Sequence, residues 1–280
     1  MQKKIRLLIP VLEYHLRKAT SGLRDKPDFI IMGAQKAGTT SLYGYLKASP
    51  NIMMSNIKEV HFFNENYIKG INWYKLHFPF FWERKFVGKK RILCGEATPD
   101  YLFHPLVPYR INKLLPNIKL IILLRNPVDR AISHYYHEVR RGRENRSFEQ
   151  AIKEESIIFN NEIKTICNTN EHHSSKKLSQ KSYLSKGLYF QQIERVFQYF
   201  NKDDVFIAFS EHFYAETERL VNEVLNFLEL PDMKSTRYPI WNKGENKESI
   251  NSETRDSLNK YFIEPNKKLE QLIEQKIPWQ

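Results

Sequence analysis

The stretch Phe29-Ile30-Ile31-Met32-Gly33-Ala34-Gln35-Lys36-Ala37-Gly38-Thr39-Thr40-Ser41-Leu42 decides how this 280-residue chain is read. Four apolar residues run into a turn of small residues that carries one lysine. Thr39, Thr40 and Ser41 then open a helical pattern continued by Leu42, Tyr45 and Leu46. A strand, a glycine-bearing turn and a hydroxyl-rich helix start make an anion cradle. The turn amides and the helix N-terminus point at the ligand, and lysine adds a full charge. The spacing differs from a Walker A loop, GxxxxGK[ST], in which lysine follows the second glycine and the next hydroxyl binds magnesium. Here Lys36 precedes Gly38, and Thr39 and Thr40 stand in the lysine and hydroxyl places. Such a loop suits a phosphate or sulfate donor handled without a metal. The plainer alternative is a glycine turn that only joins a strand to a helix.

Three more apolar runs, residues 92–94, 120–124 and 205–209, are continuous like residues 29–32. Unbroken apolar strands are expected where helices cover both faces of a parallel sheet. Helical patterns are predicted over residues 39–47, 106–115, 127–141, 188–200, 216–230 and 252–273. Pro127 suits the first turn of its helix, whereas Pro265 predicts a bend or restart in the last one. The alternation implies an α/β fold, a three-layer α/β/α arrangement around a mostly parallel sheet, with ligands at the carboxyl ends of the strands. Residues 1–26 read as a lead segment and 27–280 as a single domain. Residues 160–181, rich in Asn, Ser, Lys, Glu and His, read as a polar insert or lid.

Composition narrows the function without choosing it. Hydrophobic content of 41% and charged content of 27% are those of an ordinary globular protein. A net charge of +12 favours anionic partners: nucleotides, acidic glycans, nucleic acid or an anionic membrane surface. The longest apolar runs are far too short to span a bilayer. At the N-terminus, Pro10, Glu13 and Arg17 interrupt any signal-peptide core, so a short amphipathic helix is expected. Its Lys3, Lys4 and Arg6, with Arg17 and Lys18, are available for peripheral membrane contact. Cys94 lies in an apolar run and reads as a small core residue. Cys167, Glu171, His172 and His173 complete no four-ligand pattern, so no metal site is expected.

Several motifs together resemble the sulfotransferases that use 3′-phosphoadenosine-5′-phosphosulfate, in particular the heparan sulfate branch of glucosaminyl 3-O- and N-sulfotransferases. The Lys36 loop is similar to that family's 5′-phosphosulfate loop. Lys58-Glu59-Val60-His61-Phe62-Phe63 with Gly70-Ile71-Asn72-Trp73-Tyr74 resembles the segment that follows it. Leu123-Leu124-Arg125-Asn126-Pro127-Val128-Asp129-Arg130-Ala131-Ile132-Ser133 is similar to the 3′-phosphate element, and residues 261–269 to the terminal helix. The likeness covers roughly residues 28–278, in family order.

The resemblance implies a donor of that kind, adenosine 3′,5′-bisphosphate (PAP) as product, and a glycan or other hydroxyl- or amine-bearing acceptor, with no metal required. It assigns the donor to Lys36, Ala37, Gly38, Thr39, Thr40, Arg125, Ser133, Tyr189, Lys243 and Gly244. Ser41 either joins them or caps the helix, and Tyr189 reads equally well as a core aromatic. Glu59 is the candidate general base, and a solvated surface glutamate beside Lys58 is its plainer reading. The aromatic pair Phe62-Phe63 is expected to dry its surroundings and raise its pKa. His61 is an alternative base or acceptor contact, and a packed histidine is its plainer reading. Glu96 is expected to help position the acceptor or serve the base network. Asp129 and Arg130 are expected at the surface or in structural ion pairs. Two departures put 3-O specificity in doubt: Ala97 and Glu245 stand where the family has lysine and arginine. The late disulfide loop of secretory members also finds no cysteine in residues 238–247, so a reducing compartment, the cytoplasm, is expected.

Two other classes compete. A small-molecule kinase needs a hydroxyl directly after the loop lysine, and Ala37 is there instead. A basic nucleic-acid-binding protein needs basic runs interleaved with exposed aromatics, and the lysines here are mostly scattered. No nucleic-acid partner is expected.

Overall fold

Five strands form one all-parallel sheet in the computed structural model, which describes residues 13–85, 92–168, 176–234 and 250–279. They are β1 (Phe29–Gly33), β2 (Ile52–Met54), β3 (Leu93–Ala97), β4 (Lys119–Leu124) and β5 (Val205–Phe209). The order is β2-β3-β1-β4-β5, so β1 lies in the middle, with Phe29 opposite Gly95 on one side and Lys119 on the other. Every residue of β1 and β3 is buried, as is every residue of β4 after Lys119. That is why these strands are apolar without alternation. A Cβ at Gly95 would come within 2.2 Å of the Phe29 ring, so the missing side chain lets β1 pack its first aromatic across β3.

The helices of eight residues or more are α1 (Thr39–Lys47), α2 (Val107–Leu114), α3 (Pro127–Arg140), α4 (Phe148–Asn168), α5 (Tyr189–Phe197), α6 (Thr217–Phe227) and α7 (Ser252–Ile273). They flank the sheet and complete the three-layer α/β/α architecture. Asn126 caps α3 by accepting from the amides of Val128 and Asp129 at 2.9 and 3.2 Å, and Pro127 takes the first helical position. Helix α7 does not restart at Pro265; it runs from Ser252 to Ile273.

The structure differs from the sequence reading in two elements. Strand β2 was not expected. It has three residues, two of them half-exposed, too short for an apolar run to register. The predicted polar insert is helical on both sides of residues 169–175: α4 extends to Asn168, and a short helix spans Lys176–Lys181. Phe159, Ile163 and Ile166 give α4 a narrow apolar stripe that packs with Phe103 and Leu178. His172 and His173 lie outside the described residues.

The strand order sets out the carboxyl edge of the sheet. The loop bearing Glu59 and His61 follows edge strand β2. Glu96 to Asp100 leave β3, the Lys36 loop leaves β1, and Arg125 leaves β4. Ser210 follows β5 and donates to the Ala37 carbonyl at 2.6 Å, bracing the Lys36 loop from the far side.

Candidate active site

The Lys36 loop turns sharply from β1 into α1. Gly38 has φ +94° and precedes α1, a conformation that a side chain would strain. A Cβ there would also meet the Tyr214 hydroxyl at 2.9 Å. Lys36 itself has φ +71°. The structure corrects the alternative reading of Ser41 as a cap: the N-cap is Gly38, and Ser41 is the third helical residue, fully buried. Thr39 is buried, and Thr40 is half-buried at the start of the helix.

Arg125 joins this loop directly, its Nη1 donating to the Lys36 carbonyl at 3.1 Å. Tyr189 donates to the Arg125 carbonyl at 2.8 Å and is itself 1% exposed. Of its two readings the core one holds, and Tyr189 props the end of β4. Ser133 lies half-buried on α3. Arg130 corrects the sequence reading. It is fully buried, makes no ion pair among the described residues, and donates to the Tyr183 carbonyl. Asp129 does form the expected ion pair, with Arg255 at 2.9 Å.

Charge around the loop is lopsided. Lys36, Arg125, Arg140 and Arg141 form no ion pair among the described residues. Burial lowers the Lys36 pKa, and the charges of Arg140, Arg125, Arg141 and Arg130 lower it further, to about 8. Burial, with the charges of Lys36, Arg141, Arg143 and Arg140, brings His137 down to about 4. Arg140 and Arg141 are exposed, so the cost of desolvation falls on half-buried Lys36 and Arg125, and an anion bound there would offset it. Lys243 and Gly244 lie outside the described residues.

In the loop after β2, Glu59 and His61 flank Val60 at φ +62° and +53°. Of the five non-glycine residues with positive φ among those described, three are Lys36, Glu59 and His61. Each such backbone costs about 1–3 kcal/mol, so strain is concentrated where side chains must be aimed. Lys58 Nζ lies 2.7 Å from one Glu59 oxygen and His61 Nε2 3.7 Å from the other. His61 Nδ1 lies 3.1 Å from Asn64 Nδ2 and 3.7 Å from Glu65. The expected rise in the Glu59 pKa is reversed. Its side chain is 43% exposed, so desolvation pushes it up only in part, and bonding to His61 and the Lys58 ammonium outweigh that and hold it at about 2. Burial would lower His61; bonding to Glu59 and the charges of Asp100 and Glu65 overcome that and raise it.

The carboxyl that burial does raise is Glu96, to about 7, against hydrogen bonds that favour its charged form. It is fully buried, accepting from Tyr74 at 2.8 Å and from Thr98 at 3.4 Å. Its predicted acceptor contact is therefore corrected. It lies in a network beneath the base loop, whose Glu59 amide donates to the Ala97 carbonyl at 2.9 Å. The Tyr101 hydroxyl accepts from the Phe62 and Phe63 amides and holds the same loop from below. No cluster of three or more His, Cys, Asp or Glu among the described residues is arranged to hold a metal ion.

Sequence reasoning missed Lys186, which is 3% exposed and bonded to Gln35 of the Lys36 loop and to Asp100 after β3. Its place in Ser185-Lys186-Gly187-Leu188-Tyr189 gave no sign of burial.

Known proteins resemble this chain in sequence and in fold. Residues 26–261 match the sulfotransferase domain family. The membrane-associated sulfotransferase kil1 of Dictyostelium discoideum is 26% identical over 91% of this chain and 66% of its own length. Human heparan sulfate glucosamine 3-O-sulfotransferase 5 is 30% identical over 73% of this chain and 54% of its own. The chain thus spans about half to two thirds of the length of these two relatives. The crystal structure of a sulfotransferase from Alicyclobacillus acidocaldarius is 29% identical, with a TM-score of 0.66, covering 90% of this chain and 98% of that one. The cytoplasmic expectation does not stand beside a relative that is membrane-associated. Scarce cysteine reports only that no disulfide is needed, which is compatible with either redox compartment. Among the described residues, no helix is long and apolar enough to cross a membrane. With the family matched across most of its length, this chain belongs to the sulfotransferases.

Proposed function

We propose that the chain moves a sulfuryl group from 3′-phosphoadenosine-5′-phosphosulfate to a hydroxyl or amine of a carbohydrate. The observation that carries this reading is the joined pair of phosphate elements. Lys36 and Arg125, one hydrogen bond apart, lie among cations that lack counter-charges. The Lys36 ammonium, the amides of residues 37–40 and the hydroxyls of Thr39 and Thr40 would hold the 5′-phosphosulfate. Arg125 and Ser133 would hold the 3′-phosphate. Lys243 and Gly244 keep their proposed place over the nucleotide.

In the transfer, the bond between sulfur and the bridging phosphate oxygen breaks and a bond from sulfur to the acceptor oxygen or nitrogen forms. The acceptor proton passes to a base, and the leaving phosphate keeps the electron pair, neutralised by Lys36. Glu59 is the proposed base. Paired with Lys58 it is a weak one, so an acceptor that displaces the Lys58 ammonium would restore its basicity. His61, held between Glu59 and Glu65, would orient the carboxylate and meet the acceptor. Relatives named for heparan sulfate glucosamine sulfation support a carbohydrate acceptor. Ala97, fully buried, brings no charge to the end of β3, so the acceptor position sulfated is left to the base loop and its surroundings.

The test is transfer of radiolabelled sulfate from the donor to a glycan panel by the purified chain. Glu59→Gln should keep PAP affinity within about two-fold and lose turnover by about 10²–10⁴-fold. Full turnover in that variant would remove Glu59 as the base.

A further inference from the structure

Lys186 sits in the turn Ser185–Gly187 with its ammonium out of solvent. Nζ donates to Gln35 Oε1 at 2.7 Å, to Asp100 Oδ1 at 2.6 Å and to the Ser179 carbonyl at 2.7 Å. Three donors meet three acceptors, so the ammonium is fully used. The other Asp100 oxygen accepts from Ser179 Oγ at 2.7 Å. The two side-chain acceptors belong to loops that leave neighbouring strands, β1 and β3. Gln35 precedes Lys36 in the anion loop. Asp100 lies in the turn Pro99–Tyr101 after β3, next to Thr98, whose hydroxyl is 3.5 Å from the His61 amide.

A buried lysine–aspartate pair is a costly way to fill space, since apolar residues of the same volume pack as well or better. What an ammonium adds is direction: three acceptors from three segments fixed at one point. The loop it ties carries Lys36 in a left-handed backbone conformation, which the surroundings must hold in place.

We propose that Lys186 is a positioning residue for sulfuryl transfer. Through Gln35 it holds the anion loop in the conformation that presents Lys36 to the donor, and through Asp100 it sets that loop's register against the wall behind His61. This rests on the reading of the Lys36 loop as the donor loop.

The test is a double-mutant cycle on the full chain, with PAP affinity by calorimetry and separate donor and acceptor KM values. Gln35→Ala removes only the loop end of the tether and leaves the buried pair intact. Lys186→Met removes the ammonium, and Lys186→Met with Asp100→Asn relieves the stranded carboxylate if the single variant does not fold. We expect Gln35→Ala and the Lys186 variant each to weaken PAP binding by about ten-fold or more, with donor KM raised and acceptor KM within about two-fold. Combining Gln35→Ala with the Lys186 variant should cost no more than the worse of the two. Wild-type PAP affinity in Gln35→Ala, or losses that simply multiply, would overturn the proposal. If the unmodified chain does not bind PAP, the donor-site reading itself falls and takes the proposal with it.

Discussion

Two basic regions of this molecule are alike in composition and opposite in bookkeeping of charge. Beyond the end of α3, Arg143 meets Glu138 at 2.6 Å, and Arg146 and Lys181 meet Glu144 at 2.7 and 3.0 Å. Arg146 also reaches Glu154 at 2.7 Å, and Tyr183 donates to Glu144 at 2.8 Å. There, hydrogen bonds from Arg146, Tyr183 and Lys181 overcome burial and hold the Glu144 carboxyl well below the usual range. At the anion loop, Lys36, Arg125, Arg140 and Arg141 have no such partners among the described residues, and the Lys36 pKa also falls, to about 8, which there disfavours the charged form instead of favouring it. A cluster of arginines therefore does not mark a site. The absent counter-charge does.

The comparison can be broken by exchanging the expected losses. Lys36→Ala should lower kcat by about 10²–10³-fold, as removal of a group stabilising transition-state charge does, while thermal stability holds or rises. A fall in stability instead would make Lys36 a structural cation. Arg125→Ala should weaken PAP by about 100-fold, or about 2.7 kcal/mol, in calorimetry. Glu144→Gln should do the reverse: unfolding free energy in urea falls by about 2 kcal/mol and PAP affinity stays put. Affinity that moves with Glu144 would erase the distinction between the regions. The smallest effect is in pH. Lys36 carries its charge below about pH 8 and loses it above, so PAP affinity should be level up to pH 7 and about ten-fold weaker by pH 9. A flat profile would mean that the lysine is not the titrating partner.

Most of the sheet was legible because its inner strands are buried on both faces and so are written as unbroken apolar runs. Strand β2, at the edge and three residues long, had no run to show. The anion loop and Arg125 were legible for another reason: backbone geometry forces glycine at position 38, and a charged residue ends an apolar strand. Long-range facts were not legible. Nothing local says that Lys186 lies against Gln35, or that Arg130 is buried against Tyr183. The Glu59 error has the same root. Phe62 and Phe63 turn into the core while the Glu59 side chain stays 43% exposed, and left-handed backbone at both Glu59 and His61 brings Lys58 and His61 to the carboxylate.

The middle position of β1 has a consequence for how such a protein can change. The proposed donor grip hangs from two inner strands, β1 and β4, whose backbones are hydrogen-bonded to a neighbour on each side. The proposed base hangs from β2, which has one strand neighbour among the described residues. Fraying, insertion and substitution are tolerated soonest at a sheet's margin. A lineage built on this scaffold can accordingly retune what receives the sulfate while the machinery that supplies it stays fixed.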